Sequence, residues 1–243
     1  MRIQEPSPRQ TAEQAAQRAD AILSELQRTP PLLDVWCRLG VVWTKLGKPE
    51  RAQNAFSAAR ALLAELPCDD TPGARLDMEY ACTVLGTALA LSGKADQARQ
   101  LIATTPRIDP DTVLQRVSAV CTDVGSLQEA LAIALAIQDA TTQGMVLEPL
   151  AKAADESRQF ALRDQALAQM RNPLRRADAL YHIVRRRLEN RAFAEARALL
   201  REATHAVRAT RKLPERADWL TRLATAYIEA QAPQDALDRK SVV

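Results

Sequence analysis

The sequence is poor in aromatic residues and in glycine. Aromatic residues make up 4% of the chain and glycine occurs seven times, although the hydrophobic fraction is an ordinary 47%. Alanine and leucine supply most of that fraction, and runs of alternating β-branched residues are missing. Because alanine, leucine, arginine, glutamine and glutamate are the strongest helix formers, this composition argues against a sheet and predicts an all-α protein.

Motifs for phosphate binding and for catalysis are also missing. Neither G-x-x-x-x-G-K-[ST] nor G-x-G-x-x-G occurs, and His182 and His205 have no cysteine near them at metal-ligand spacing. The carboxylate pairs at 69–70 and 155–156 are interpreted as solvated surface charge. The sequence therefore predicts no catalytic residues, no metal site and no cofactor. An enzyme built on a helical scaffold is the alternative that this argument leaves open.

Long apolar runs and paired cysteines are absent as well. Cys37, Cys68, Cys82 and Cys121 form no C-x-x-C pair, so we interpret them as small thiols of a reducing compartment, most of them buried. No apolar run is long enough to cross a bilayer, and the polar segment 1–10 has no apolar core for export. We expect a cytoplasmic protein without membrane contact, with residues 1–10 disordered.

What the sequence does contain is a repeated pattern of large and small residues. The motif W-x2-L-G-x2-W occupies residues 36–43, followed by a glycine, then an alanine five residues later and a large apolar residue four further on. The spacing after the motif recurs twice more. The three sets are Gly47, Ala52 and Phe56; Gly93, Ala98 and Ile102; and Gly125, Ala130 and Ala134. This pattern predicts helical hairpins in which the second helix crosses the first closely.

These residues closely resemble the tetratricopeptide repeat family, whose unit is a helix–turn–helix of about 34 residues. The resemblance covers residues 31–237 and implies a right-handed α-solenoid of stacked hairpins. We expect a solenoid over 11–237, with a capping helix at 11–28 and five to six hairpins, the last one truncated. Residues 238–243 are interpreted as a non-native tail, because they interrupt the last helical pattern.

The later units depart from the pattern. They are predicted to begin near Asp111, Gly144 and Ala177, a step of 33 residues, with turns near 157–159 and Asn190. Arg187 and Arg191 stand where the family usually has an aromatic residue and a glycine. Pro149 falls inside a predicted helix and predicts a kink or a late helix start. Gly73 is assigned to a loop at 66–73, and Gly144 to a helix start.

The resemblance implies a function as well as a fold. Stacked first helices of such repeats line a concave groove that binds extended or helical peptides, so we expect a scaffold or adaptor whose partner is an unknown protein or peptide. Alignment to the family gives eight groove-facing positions: Thr83, Thr87, Gln115, Ala119, Glu148, Lys152, Tyr181 and Arg185.

One subclass of the family is disfavoured by the same alignment. Its members clamp the C-terminal carboxylate of a chaperone with a Lys–Asn–Asn–Lys–Arg set across three units. The corresponding positions in this chain are Cys37, Val41, Val84, Thr112 and Arg116, and of these only Arg116 suits a carboxylate. An adaptor for chaperone tails is therefore not expected.

The charge distribution supports an alternative function. Residues 171–216 contain thirteen Lys or Arg against five Asp or Glu, whereas the whole chain carries a net charge of only +3. An acidic partner or a nucleic acid could bind this region. Aromatic residues for stacking on bases are scarce there, which weakens the case for nucleic acid. The competing interpretation is a solvated surface whose arginine stems pack over apolar neighbours.

Overall fold

The computed structural model describes residues 7–26, 32–67, 71–210 and 213–231. These residues form helices joined by short connections, and none of them lies in a strand. The predicted all-α fold class is therefore confirmed for the described chain. The helices are α1 (Pro8–Glu25), α2 (Leu32–Lys45), α3 (Pro49–Ala64), α4 (Pro72–Leu91), α5 (Ala95–Thr104), α6 (Pro110–Asp123), α7 (Leu127–Ala134), α8 (Ala140–Glu156), α9 (Phe160–Gln169), α10 (Pro173–Glu189), α11 (Phe193–Arg208) and α12 (Leu213–Gln231).

The contacts divide the chain into two compact units, residues 1–137 and residues 138–243. In unit 1, α2 pairs with α3, α4 with α5 and α6 with α7; in unit 2, α8 pairs with α9 and α10 with α11. The first helices of these pairs also pack on one another, α4 on α2 and α6 in unit 1, and α10 on α8 and α12 in unit 2. A helix pair of this size cannot bury its apolar face alone, so neighbouring pairs shield each other.

Five turns between paired helices share one hydrogen-bond pattern. In each turn, a residue with positive φ donates its N–H to the carbonyl three residues earlier, and the next residue donates its N–H to the carbonyl five residues earlier. This Schellman arrangement closes a helix and reverses the chain. Glycine adopts the positive φ in the first three turns and arginine in the last two, the residues being Gly47, Gly93, Gly125, Arg158 and Arg191. The turns predicted near these positions are confirmed.

Two helix crossings depend on glycine. A Cβ atom at Gly40 would lie 2.4 Å from Cε1 of Phe56 on α3, and one at Gly86 would lie 3.3 Å from Cδ1 of Ile102 on α5. The missing side chain therefore lets the second helix of each pair approach the first. The close crossing that the sequence pattern predicts is therefore confirmed at Gly40, and Gly86 provides a second one.

Several predicted boundaries differ from the structure. α1 begins at Pro8, where Ser7 caps the helix by accepting a hydrogen bond from the Gln10 backbone N–H, so the prediction of disorder is wrong for residues 7–10. Gly73 lies in the first turn of α4, and Gly144 lies inside α8. The predicted last helix at 234–237 and the tail at 238–243 lie outside the described residues, as do residues 1–6.

Pro149 does not delay the start of its helix. α8 begins at Ala140 and runs through Pro149 to Glu156. Proline removes the N–H that would bond to the carbonyl of Met145, and both residues lie on the exposed face of the helix. The broken hydrogen bond therefore falls on the solvent side, where the helix tolerates it best.

Among the described helices, none combines the length and the apolar character that a bilayer crossing requires.

Candidate functional site

Unit 1 carries an apolar groove of about 430 Å³ on α2, α4 and α6. Two charged residues, Asp34 and Arg38, contribute to its lining, and they neutralise each other through an ion pair of 2.7 Å. The rest of the lining is uncharged. Its aliphatic residues are Val41, Val42, Val84, Ala88, Leu91 and Val120.

Helical spacing places these residues on one face of each helix. On α2 the lining follows the steps of three and four residues that define a single helix stripe, and on α4 it does the same between Thr83 and Leu91. The floor is closed, since Cys37 is buried, whereas Val42 and Val120 remain 38% and 39% exposed at the sides. Burial raises the pKa of Cys37 to about 12, so its thiol stays neutral.

The four predicted groove residues of unit 1 divide into two pairs. Thr83 and Thr87 line the groove, and the Thr83 hydroxyl donates to the Glu79 carbonyl, which leaves an apolar methyl as its main contribution. Gln115 and Ala119 lie on α6 outside the lining, where Val120 contributes instead.

Three of the positions aligned with the chaperone-binding subclass lie in this groove and carry uncharged side chains. Cys37, Val41 and Val84 occupy places where that subclass has lysine or asparagine, and all three line the groove. A carboxylate at this place would meet no free cation in the lining, because Arg38 is already paired with Asp34.

The four predicted groove residues of unit 2 contact neighbouring side chains. The Lys152 ammonium lies 2.8 Å from Glu148 Oε1, and Arg185 Nη1 lies 2.6 Å from Glu229 Oε2 on α12. The Tyr181 ring meets the Trp219 ring edge to face, with centroids 5.8 Å apart. The first contact lies within α8 and the other two join α10 to α12, and together they leave less of the four side chains for a partner.

A cluster that the sequence analysis missed surrounds Glu148. Ligand atoms of Glu148, Asp178 and His182 all lie within 4.8 Å of one another. In the sequence, only Asp178 and His182 indicate this cluster, because they lie four residues apart on α10. Two such residues are a weak indication of a metal site without the third, Glu148 on α8. Lys152 and Arg175 already neutralise Glu148, at 2.8 and 3.3 Å, and a divalent cation would have to displace them. We therefore assign no metal to this cluster.

The pKa values of the two carboxyl groups in this cluster are shifted in opposite directions. Burial raises the pKa of Asp178, and the hydrogen bond and the charge of Glu148 raise it further. Burial acts in the same direction on Glu148, but hydrogen bonds from Lys152 and Asp178 outweigh it and lower the pKa of Glu148. Asp178 is therefore the carboxyl group of the pair that takes up a proton first as the pH falls.

Asp155 and Arg187 form a buried ion pair in unit 2. Arg187 Nη2 and Nη1 donate to the two carboxylate oxygens of Asp155, at 2.6 and 3.0 Å, and Nε donates to Glu195 at 2.7 Å. Arg163 on α9 donates to the same Asp155 at 3.0 Å. The Asp155 side chain is 1% exposed, so the interpretation of Asp155 and Arg187 as solvated surface charge is wrong.

Other arginines of the 171–216 region are also engaged within the protein. Arg186 pairs with Glu156 at 3.1 Å, Arg175 with Glu148, and Arg197 donates to the Ala230 carbonyl at 3.0 Å. Arg201 and Arg208 form no ion pair within the described part of the chain. The positive charge available to an acidic partner is smaller than the sequence count indicates, and that alternative stays a prediction.

Comparisons with protein-family models, with curated proteins and with solved structures gave no match to this chain. The resemblance to the tetratricopeptide repeat family therefore stays an expectation that rests on the residues themselves.

Proposed function

We propose that this protein is a tetratricopeptide-like α-solenoid and acts as a protein-interaction scaffold. Support for the repeat assignment comes from the recurring turn, which closes five successive helix pairs with the same two hydrogen bonds. Three buried free thiols, Cys37, Cys82 and Cys121, support its placement in a reducing compartment such as the cytoplasm.

The observation that carries the proposal is the apolar groove of unit 1. Its volume of about 430 Å³ lies within the range of roughly 300–1,000 Å³ typical of binding pockets. Helix-to-helix packing fixes the groove in advance, so a partner would meet a surface that loses little entropy on binding. Apart from the Asp34–Arg38 ion pair, the described lining is uncharged and favours a segment whose central side chains are aliphatic, because burying an unpaired charge there would be costly.

A peptide display library tests this proposal, because it samples many segments and does not require an identified partner. Peptides are selected on the full chain and then measured against Thr87→Glu, which places a charge in the groove, and against Ala103→Glu, which places the same charge on the exposed surface of α5. We expect apolar peptides whose affinity falls at least about tenfold with Thr87→Glu and is unchanged with Ala103→Glu. Peptides that bind all three proteins equally would contradict the proposal.

A further inference from the structure

A second cavity in unit 1, of about 440 Å³, lies among residues of α3, α4 and α5 and the segment that follows α5. It shares no lining residue with the apolar groove. Leu63, Met78 and Leu101 contribute apolar surface, while Arg60, Gln97 and Gln100 contribute polar groups. The cavity is therefore amphipathic, unlike the groove.

Arg60 has no counter-ion within the described part of the chain. Its guanidinium makes one hydrogen bond, from Nη2 to the Gln97 side-chain oxygen at 3.1 Å. Its Nε atom is buried and lacks an acceptor. An atom that solvent cannot reach is also out of reach of a ligand, so an anion in the cavity would contact the Nη groups of this partly buried side chain. Arg60 therefore presents a positive charge without a described counter-ion at the cavity.

The remaining polar groups of the cavity divide into acceptors and donors. The Thr104 and Thr105 hydroxyls donate to carbonyls of their own helix, each at 2.8 Å, so they can only accept from a ligand. The side-chain amides of Gln97 and Gln100 still offer N–H donors. Donors for an anion are therefore concentrated around Arg60.

We propose that this cavity binds a small aliphatic carboxylate. Its carboxylate group would accept hydrogen bonds from the Arg60 guanidinium and the neighbouring glutamine amide, and its chain would cover Leu63, Met78 and Leu101. A guanidinium matches a carboxylate in charge and in planar geometry. A phosphate dianion fits less well, because Arg60 is the one cation among the described lining residues and would leave half of its charge uncompensated.

Calorimetric titration of the full chain with hexanoate tests the proposal, with hexan-1-ol and inorganic phosphate as the comparison probes. We expect saturable binding of one hexanoate, and binding of hexan-1-ol and of phosphate that is at least about tenfold weaker. Arg60→Gln removes the charge and should weaken hexanoate binding at least about tenfold, whereas Arg99→Gln on the surface of α5 should leave it unchanged. Circular dichroism checks that each variant keeps its helices.

Absence of saturable hexanoate binding would overturn the proposal, and so would equal binding by the wild type and Arg60→Gln. Ala64→Phe tests the location independently, because Ala64 lines the cavity and a phenylalanine there fills space without changing charge. Full hexanoate binding by that variant would place the ligand elsewhere and overturn the assignment. If hexanoate binds only to a variant in which Asp69 and Asp70 are both replaced by asparagine, Arg60 pairs with these carboxylates in the wild type. That result would also overturn the proposal.

Discussion

At position 40, the absence of a side chain decides how closely α2 and α3 pack. Phe56 is 1% exposed and its ring lies where a Cβ atom of residue 40 would project. Neither group has room to move, because both lie in the buried seam between the two helices. The glycine is therefore required for packing, and its backbone conformation is ordinary for a helix.

Gly40→Ala should lower the free energy of unfolding by about 1–3 kcal/mol, the usual cost of overpacking a core. Gly73→Ala is the matched control, because Gly73 is also helical and nothing lies within 4 Å of a Cβ placed there. That substitution should be neutral or stabilise the protein by up to about 1 kcal/mol. Urea denaturation followed by far-ultraviolet circular dichroism measures both. Equal effects of the two substitutions would contradict this explanation.

Glycines with a role inside one hairpin could be predicted from the sequence, while others could not. Gly40 and Gly47 belong to a short pattern whose spacing fixes their place on the helix and in the turn. The sequence pattern places Gly144 at a helix start, yet a Cβ there would lie 3.2 Å from Cγ of Arg175 on α10. That contact joins residues 31 positions apart, and local spacing carries no record of it.

Between helices, the Asp155–Arg187 pair links several elements of unit 2 through one buried guanidinium. Arg187 joins α8 and α10 through Asp155, reaches α11 through Glu195, and lies over the ring of Phe160 on α9, 5.8 Å from its centroid. Four helices of unit 2 therefore meet at one guanidinium. A buried ion pair stabilises little compared with apolar packing, but removing Asp155 leaves the buried Arg187 guanidinium with only the exposed Glu195 as its counter-ion.

Asp155→Ala should therefore lower the free energy of unfolding by about 3–5 kcal/mol. Asp164→Ala is the control. Asp164 pairs with Arg163, which also pairs with Asp155, but the Asp164 side chain is 61% exposed. Its loss should therefore lower the free energy of unfolding by no more than about 1 kcal/mol. Thermal and urea denaturation of the two variants gives the comparison. A small effect of Asp155→Ala would mean that water reaches Arg187 and replaces the lost carboxylate.

The spacing of Asp155 and Arg187 in the sequence indicates this pair, although no local motif does. Asp155 and Arg187 are 32 positions apart, one less than the predicted step of 33 residues between successive units. Residues separated by nearly one repeat lie side by side on adjacent first helices, so acidic and basic residues at this spacing are candidates for pairing. The composition of the region 171–216 favours a solvated Arg187, because composition cannot show which face of α10 is buried.

At the scale of the whole molecule, the chain consists of two units whose contacts are mainly internal. The free thiols Cys37, Cys82 and Cys121 all lie in unit 1 and are buried. Burial raises the pKa of Cys37 and of Cys121 to about 12. Their reactivity therefore reports whether unit 1 is folded, independently of unit 2.

We expect a fragment of residues 1–137 to fold without unit 2 and to keep these thiols protected. Cys68→Ser is included because Cys68 lies outside the described residues. At pH 8, a thiol with a pKa of about 12 is ionised in roughly one molecule in ten thousand, whereas an unfolded cysteine is ionised to a substantial fraction. Modification by a disulfide reagent should therefore be at least about a hundredfold slower in buffer than in concentrated urea. The full chain carrying Cys68→Ser is the control and should show the same protection. The expectation is contradicted if the fragment reacts as fast in buffer as in urea while the full chain stays protected. Unit 1 would then need unit 2 to fold, because the internal packing of α2–α7 would be too weak to exclude water from its own core.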